Sequence, residues 1–332
     1  MNAREFSVDF AMFGSDPAGF GPAGVDTLQA IAAVAAVGDL GAIDLAFPFT
    51  GEDVTVEAVQ EALASGGIRA SAIHSVLYFP QFASGSFTNP DDSLRERARE
   101  IVRGTVAAAR ALQVDYVKIW PGRDGYDYPF QVDHGALWGD AVAWLAEIAD
   151  AAPDVRFAIE YKAKDPRTHM VFPNAARLLL AMEELQRPNL GIVVDFGHSL
   201  FAHETPADAV HLAHRHGRLF GVEFNDNFRA SDDDFTAGAV HLMETIEFVH
   251  ALRQVGYEGT WELDQIGTRE DPAQAARDSI RTLRAIEALL DRIPADAFED
   301  AQRRHDALAA QRLIHGQLLT TAAEPVAAGE GR

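Results

Sequence analysis

Six acidic side chains lie between Glu223 and Glu244, most of them in EFNDNFRASDDDFTAG (223–238), against a single arginine, Arg229. Such a run is either an acidic surface loop or part of a metal site. Asp232 and Asp234 are alternate residues, so in an extended loop both point one way while Asp233 points the other. A pair aimed at a pocket suits a divalent cation; a solvated loop fits the same two residues. Other groups with chemistry to offer are His74, Glu160, Asp195, His198, Glu262 and Asp264. The chain has only three lysines, Lys118, Lys162 and Lys164, and two of them share the segment YKAK.

The elements that must position these residues alternate in character. Short apolar runs occupy 6–13, 42–47, 69–76, 114–120, 155–161, 190–196, 218–224 and 259–265. Longer amphipathic segments lie between them. One, PDDSLRERAREIVRGTVAAARALQ, has Asn89 as its cap and Pro90 in its first turn; another, HLMETIEFVHALRQVG, stops at Gly256. Eight strands alternating with helices predict an α/β fold, a closed (β/α)8 TIM barrel over residues 1–291. Residues 292–332 read as a C-terminal helical extension, DAFEDAQRRHDALAAQRLIHGQLL, and a flexible tail.

In such a barrel, chemistry collects at the C-terminal ends of the strands. Those ends carry His74, Lys118 with Trp120, Glu160 with Lys162, Asp195 with His198, Glu223 with Asn225, and Glu262 with Asp264. Two carboxylates about 4 Å apart repel by roughly 4 kcal/mol at an effective dielectric near 20. Glu160, Asp195, Glu223 and Asp264, brought to one mouth, therefore need cations that three lysines cannot supply. Hard oxygen ligands suit Mg²⁺, Mn²⁺ or Co²⁺. Any one of these acids alone reads as a loop residue or an arginine partner; the four at matched strand ends read as a metal site. His198, alone a core or surface histidine, becomes a ligand candidate beside the DDD run.

Composition excludes several classes. Of the 332 residues, 48% are hydrophobic, enough for a sizeable core, and a net charge of −22 argues against nucleic acid or an anionic membrane as partner. There is no cysteine, hence no disulfide framework, thiolate nucleophile or cysteine zinc site. MNAREFSVDF has no apolar signal core, and no run is long enough to span a membrane, so the expectation is a cytoplasmic protein. GFGPAG (19–24) matches a dinucleotide fingerprint literally. It lies several residues from the first strand, and Pro22 removes a phosphate-facing N–H, so no nucleotide cofactor is expected. GHSLF lacks the second glycine of a nucleophile elbow, and His211, His214 and His216 read as surface residues.

Taken together, the motifs resemble the xylose isomerase-like barrels, a family of aldose–ketose isomerases, sugar epimerases and related lyases. The resemblance runs from about Phe6 to the helix after Asp264 and is strongest between Arg69 and Asp271. AIEYKAKDPR is similar to the strand-five motif and implies Glu160 as metal ligand and Lys162 as sugar contact. DFGH, VEFNDN…DDDF and YEGTWELDQ…TRED resemble the motifs of the next strands. They imply Asp195 bridging two ions, His198, Asp232 and Asp234 on the second, and Glu223 and Asp264 on the first. FTNPDDSLRERA and VKIWPGRDG imply that Phe87 reaches a neighbouring subunit's site and that Trp120 walls the sugar pocket. Asp165 and Asn225 are candidate supporting groups, Asn225 also a sugar contact.

The resemblance therefore implies two divalent cations per chain and a homodimer or homotetramer. It also implies isomerisation of an unphosphorylated aldose by hydride shift, with Lys162, His74 and Asp232 as catalytic groups. The chain departs from the pattern at two places. Ala46 in DLAFPF stands where xylose isomerases place a ring-opening histidine, leaving His74 as the candidate substitute, and the family tryptophan near strand one is missing from FAMFGSD. Neither change points to xylose itself. Glu223 stands where the epimerase branch has histidine and xylose isomerases have aspartate. The rival readings are a one-metal epimerase or eliminating lyase, including glycoside-cleaving lyases, acting through an enolate, and a non-catalytic sugar-binding barrel.

Overall fold

The computed structural model describes residues 4–14, 25–78, 80–267 and 269–320. The eight predicted strands are present: β1 (Phe6–Asp9), β2 (Ala42–Phe47), β3 (Arg69–Ser75), β4 (Tyr116–Ile119), β5 (Phe157–Glu160), β6 (Leu190–Asp195), β7 (Leu219–Phe224) and β8 (Trp261–Leu263). Each pairs in parallel with the next, and β8 returns to β1 with Glu262 opposite Ser7, closing the barrel. The strands read as apolar runs because helices cover their outer face while the inner face fills the barrel; β6 is buried at every position.

Alternate residues face inward, and they form layers. Ala72, Tyr116, Ala158 and Val193 make a lower plug against Phe220. Gly221 belongs to the same layer: a Cβ there would lie 2.5 Å from the Tyr116 hydroxyl, so the missing side chain makes room for the phenol ring. Two residues further along these strands the inward positions become His74, Lys118, Glu160, Asp195 and Glu223. The apolar plug thus forms the floor of a charged mouth.

Local chemistry sets the helix starts. Asp26, Thr55, Asp133 and Asn174 each accept a hydrogen bond from a backbone N–H in the first turn that follows. The long helix expected to be capped by Asn89 starts at Asp92 and is capped by Asp91 through Ser93 N. Asn89 instead ties the preceding loop, donating to Gly85 O at 2.6 Å. β1 is shorter than its apolar run because Asp9 accepts from Ala11 N at 2.7 Å and opens the short helix Ala11–Gly14. A small antiparallel sheet of Gly125–Tyr126, Thr168–Met170 and Lys164–Asp165, which the apolar pattern does not announce, lies in the loops after β4 and β5.

The chain divides into two compact units, residues 1–280 and 281–332, with the helix Pro272–Asp291 running across the division. In the second unit the single expected helix is two, Ala295–Arg303 and Ala307–Thr320. His305, with φ of 51°, breaks the path, and Asp306 accepts from Ala309 N to start the second helix. GFGPAG and the tail from 322 to 332 lie outside the described residues. Among the described residues no helix is long and apolar enough to cross a membrane.

Candidate functional site

The four carboxylates expected to converge do so. Glu160, Asp195, Glu223 and Asp264 each offer an oxygen, and these oxygens lie within 4.8 Å of one another. Asp195 is the most constrained. It ends β6 and caps the helix Phe196–Phe201, one oxygen accepting from His198 N at 2.5 Å and the other from Asn225 Nδ2 at 2.8 Å. Asn225 Oδ1 in turn accepts from Gly197 N at 2.7 Å, and a Cβ on Gly197 would lie 2.4 Å from that oxygen. The glycine of DFGH is therefore what lets Asn225 reach the carboxylate. Asn225 itself is buried, its amide bonded to Asp195 and to Gly197.

Crowding shows in the acidities. Burial, then the charge of Glu160, pushes Glu223 well above the usual carboxylate range, and burial with Asp9 and Asp234 does the same to Asp264. Burial lifts Asp195 to about 6, with Asp232 adding to it. Glu160 goes the other way: against its burial, the His198 ring at 2.9 Å holds it below the ordinary value. Glu223 Oε2 is buried with no hydrogen-bond partner. Convergent carboxylate oxygens, one of them orphaned, are a donor set that fits a hard divalent cation.

A second group adjoins the first through His198. Its Nδ1 faces Glu160 Oε1 at 2.9 Å and its Nε2 faces Asp232 Oδ2 at 3.0 Å. The same Asp232 oxygen lies 2.7 Å from Lys162 Nζ, which also donates to Asp165 at 2.8 Å and sits 5.0 Å from the Trp120 ring. Burial works against charge on Lys162, but Asp232, Asp165 and Asp234 raise it well above the ordinary lysine value, so it is an ammonium. Burial likewise opposes charge on His198, and Asp195 and Asp232 overcome it. Asp232 Oδ1 and Asp234 Oδ1 are buried without partners.

Asp232 and Asp234 do face the mouth together, but not through an extended loop. Asp234 has φ of 51°, so a left-handed turn brings it round. Asp233 turns back onto its own loop, accepting from Phe228 N and Ser231 Oγ. Asp226 organises the same loop: it accepts from the backbone of Val240 and His241 at 2.8 Å and pairs with the His241 ring.

Across the mouth sits a group that strand-end reasoning left without a role. Lys118 Nζ lies 2.9 Å from Asp9, 2.7 Å from Asp44, 2.7 Å from Glu223 and 2.8 Å from Glu262. His74 Nδ1 joins it, 3.2 Å from Asp44 and 3.5 Å from Asp9, with the Tyr78 hydroxyl 3.5 Å from Nε2. Burial disfavours charge on His74, but Asp9 and Asp44 raise it above the ordinary histidine value. Asp9 and Asp44 were missed because each is a lone acid in an apolar run. That isolation is the available signal: FSVD, AIDLAF, YVKI and WEL each carry one carboxylate or ammonium residue at an inward position.

Phe87 does not join the mouth. It is buried in its own chain, stacked on Trp144 with ring centroids 3.6 Å apart. His211 and His216 pair with Gln254 and Glu183 on the surface.

Residues 30–286 match the family of xylose isomerase-like TIM barrels. The chain is similar to the xylose isomerase of Thermus thermophilus, 27% identical over 318 residues that cover 90% of this chain and 80% of that protein. Among solved structures, a D-tagatose 3-epimerase-like protein superposes with a TM-score of 0.69 at 17% identity, covering 86% of this chain and 99% of that one. The D-psicose 3-epimerase of Clostridium cellulolyticum H10, with D-tagatose, gives 0.66 at 15% identity, covering 85% and 99%. At those identities the solved structures share the fold with this chain.

Proposed function

This chain belongs to the xylose isomerase-like TIM-barrel family, and from that premise we propose that it is a divalent-metal-dependent isomerase interconverting an unphosphorylated aldose and its ketose. The observation that carries this reading is the chain of contacts Glu160–His198–Asp232–Lys162. It joins the carboxylates of the strand ends to the DDD loop and leaves donors for two neighbouring cations rather than one. Glu160, Asp195, Glu223 and Asp264 would hold the first, and Asp195, His198, Asp232 and Asp234 the second. Mn²⁺, Mg²⁺ or Co²⁺ would supply Lewis acidity at the sugar oxygens.

The remaining steps belong to side chains. Lys162, a cation fixed by Asp165 and Asp232, donates a hydrogen bond to the sugar carbonyl oxygen and stabilises charge there as hydride passes between C1 and C2. The Trp120 ring beside it supplies an apolar wall that keeps water from that oxygen. His74, supported by Asp44 and Asp9, would exchange a proton with the ring oxygen and the anomeric hydroxyl, the work of ring opening. Lys118 and Lys162, the lysines beside these groups, are both held by carboxylates rather than offered to a phosphate, which favours a free sugar.

Elemental analysis after Mn²⁺ loading and desalting, followed by an aldose screen, tests the reading. About two ions per chain with hydride retained on the sugar are expected. A second reading, a one-metal epimerase or eliminating lyase, is favoured by the His74–Asp44 pair opposite the carboxylates, where an enolate chemistry needs a base. In D₂O it would place deuterium on the product carbon, and the hydride shift would not.

A further inference from the structure

Lys118 is buried, and its ammonium touches four carboxylates from four strands. An ammonium normally donates along three directions, so a four-carboxylate shell at 2.7 to 2.9 Å is the surrounding of a small spherical cation. Asp9, Asp44 and His74 also have donor atoms close enough to grip an ion, yet the Oδ2 atoms by which Asp9 and Asp44 face His74 are the ones Lys118 already holds. The shell reaches the proposed metal centre through one residue. Glu223 gives Oε1 to Lys118 at 2.7 Å, while its buried Oε2 has no partner.

We propose that Lys118 is a positioning residue that stands in for a metal ion among Asp9, Asp44, Glu223 and Glu262, and that by holding Glu223 Oε1 it offers only Oε2 to the neighbouring centre. The idea rests on the metal-centre reading for its second half. The protein thereby limits its mouth to the ions that the chemistry uses. A covalently tethered charge cannot be chelated, exchanged or replaced by a wrong metal, and it fixes one ligand of the centre before any ion arrives. The register supports this: Lys118 lies opposite His74 on one side, on a strand whose other inward residue, Tyr116, belongs to the floor.

The test compares Mn²⁺ content in the wild-type chain, Lys118→Met and Asp44→Asn, all loaded and desalted identically. Lys118→Met empties the shell without changing its size much, and should take up about one further Mn²⁺ per chain than wild type. Adding Asp9→Asn and Asp44→Asn to that variant should return the count to the wild-type value. Asp44→Asn alone, a nearly isosteric change in the native chain, should leave the count unaltered because Asp44 is served by Lys118. Equal counts in wild type and Lys118→Met overturn the proposal. So does loss of an ion in Asp44→Asn, which stands as the deciding result should Lys118→Met fail to fold. A wild-type chain that takes up no Mn²⁺ defeats the metal-centre reading instead, and the variant-minus-wild-type difference still judges Lys118.

Discussion

The Nε2 of His198 and the Oδ2 of Asp232 lie 3.0 Å apart, although Asp232 comes 34 positions later on a loop beyond the next strand. The same oxygen lies 2.7 Å from Lys162, so one carboxylate of the acidic run joins two strand ends. Asp232→Asn keeps the shape and removes the charge. It is expected to weaken one bound ion about 10- to 100-fold while sparing the other, as isothermal titration with Mn²⁺ would show. Equal weakening of both ions, or of neither, would count against separate sites.

Lys162→Met is expected to retain the ions and lose turnover by about 10²- to 10³-fold, because its ammonium acts on the substrate oxygen. Ion content and steady-state rates on the same preparation check this. Turnover kept near the wild-type level would remove Lys162 from the chemistry.

Metal binding should release protons. Asp195 is lifted to about 6, and Glu223 and Asp264 stand well above the usual range, so the metal-free mouth holds protons near neutrality. A carboxyl with a raised folded value binds more protons folded than unfolded, so it costs the fold stability as pH rises through that value. The chelated protein should therefore melt higher at pH 6 than at pH 8. Ion affinity should climb over the same interval, with proton release seen as a dependence of binding heat on buffer. A chelated protein more stable at pH 8 would contradict these protonation states.

Gly197→Ala tests how the glycine of DFGH serves the centre. The new Cβ would meet Asn225 Oδ1 at 2.4 Å and push aside the amide that holds Asp195. Ion affinity should fall about 10- to 100-fold, while the shift in melting temperature stays modest because a side-chain end can move. Unchanged affinity would show that Asn225 does not matter to Asp195.

His74→Asn is expected to slow turnover of a cyclic sugar about 10²-fold or more while leaving the affinity for an acyclic polyol intact. Rates and inhibition constants on one preparation separate the two. Full turnover would leave ring opening to another group.

The fold and most of the first carboxylate group were legible in the chain itself. Period-two inward positions and eight apolar runs determine the barrel, and a barrel delivers Glu160, Asp195, Glu223 and Asp264 to one end whatever its details. Pairings that depend on where a loop turns were not legible. The left-handed backbone at Asp234, the inward burial of Phe87 against Trp144 and the break at His305 are each decided by contacts or dihedrals that spacing does not encode. The Lys118 shell shows the limit most clearly. Asp9, Asp44, Glu223 and Glu262 belong to four strands scattered along the chain, and each alone looks like a stray acid in an apolar run. Closing the sheet brings them within hydrogen-bonding reach of one ammonium, because burial allows those charges only when they meet.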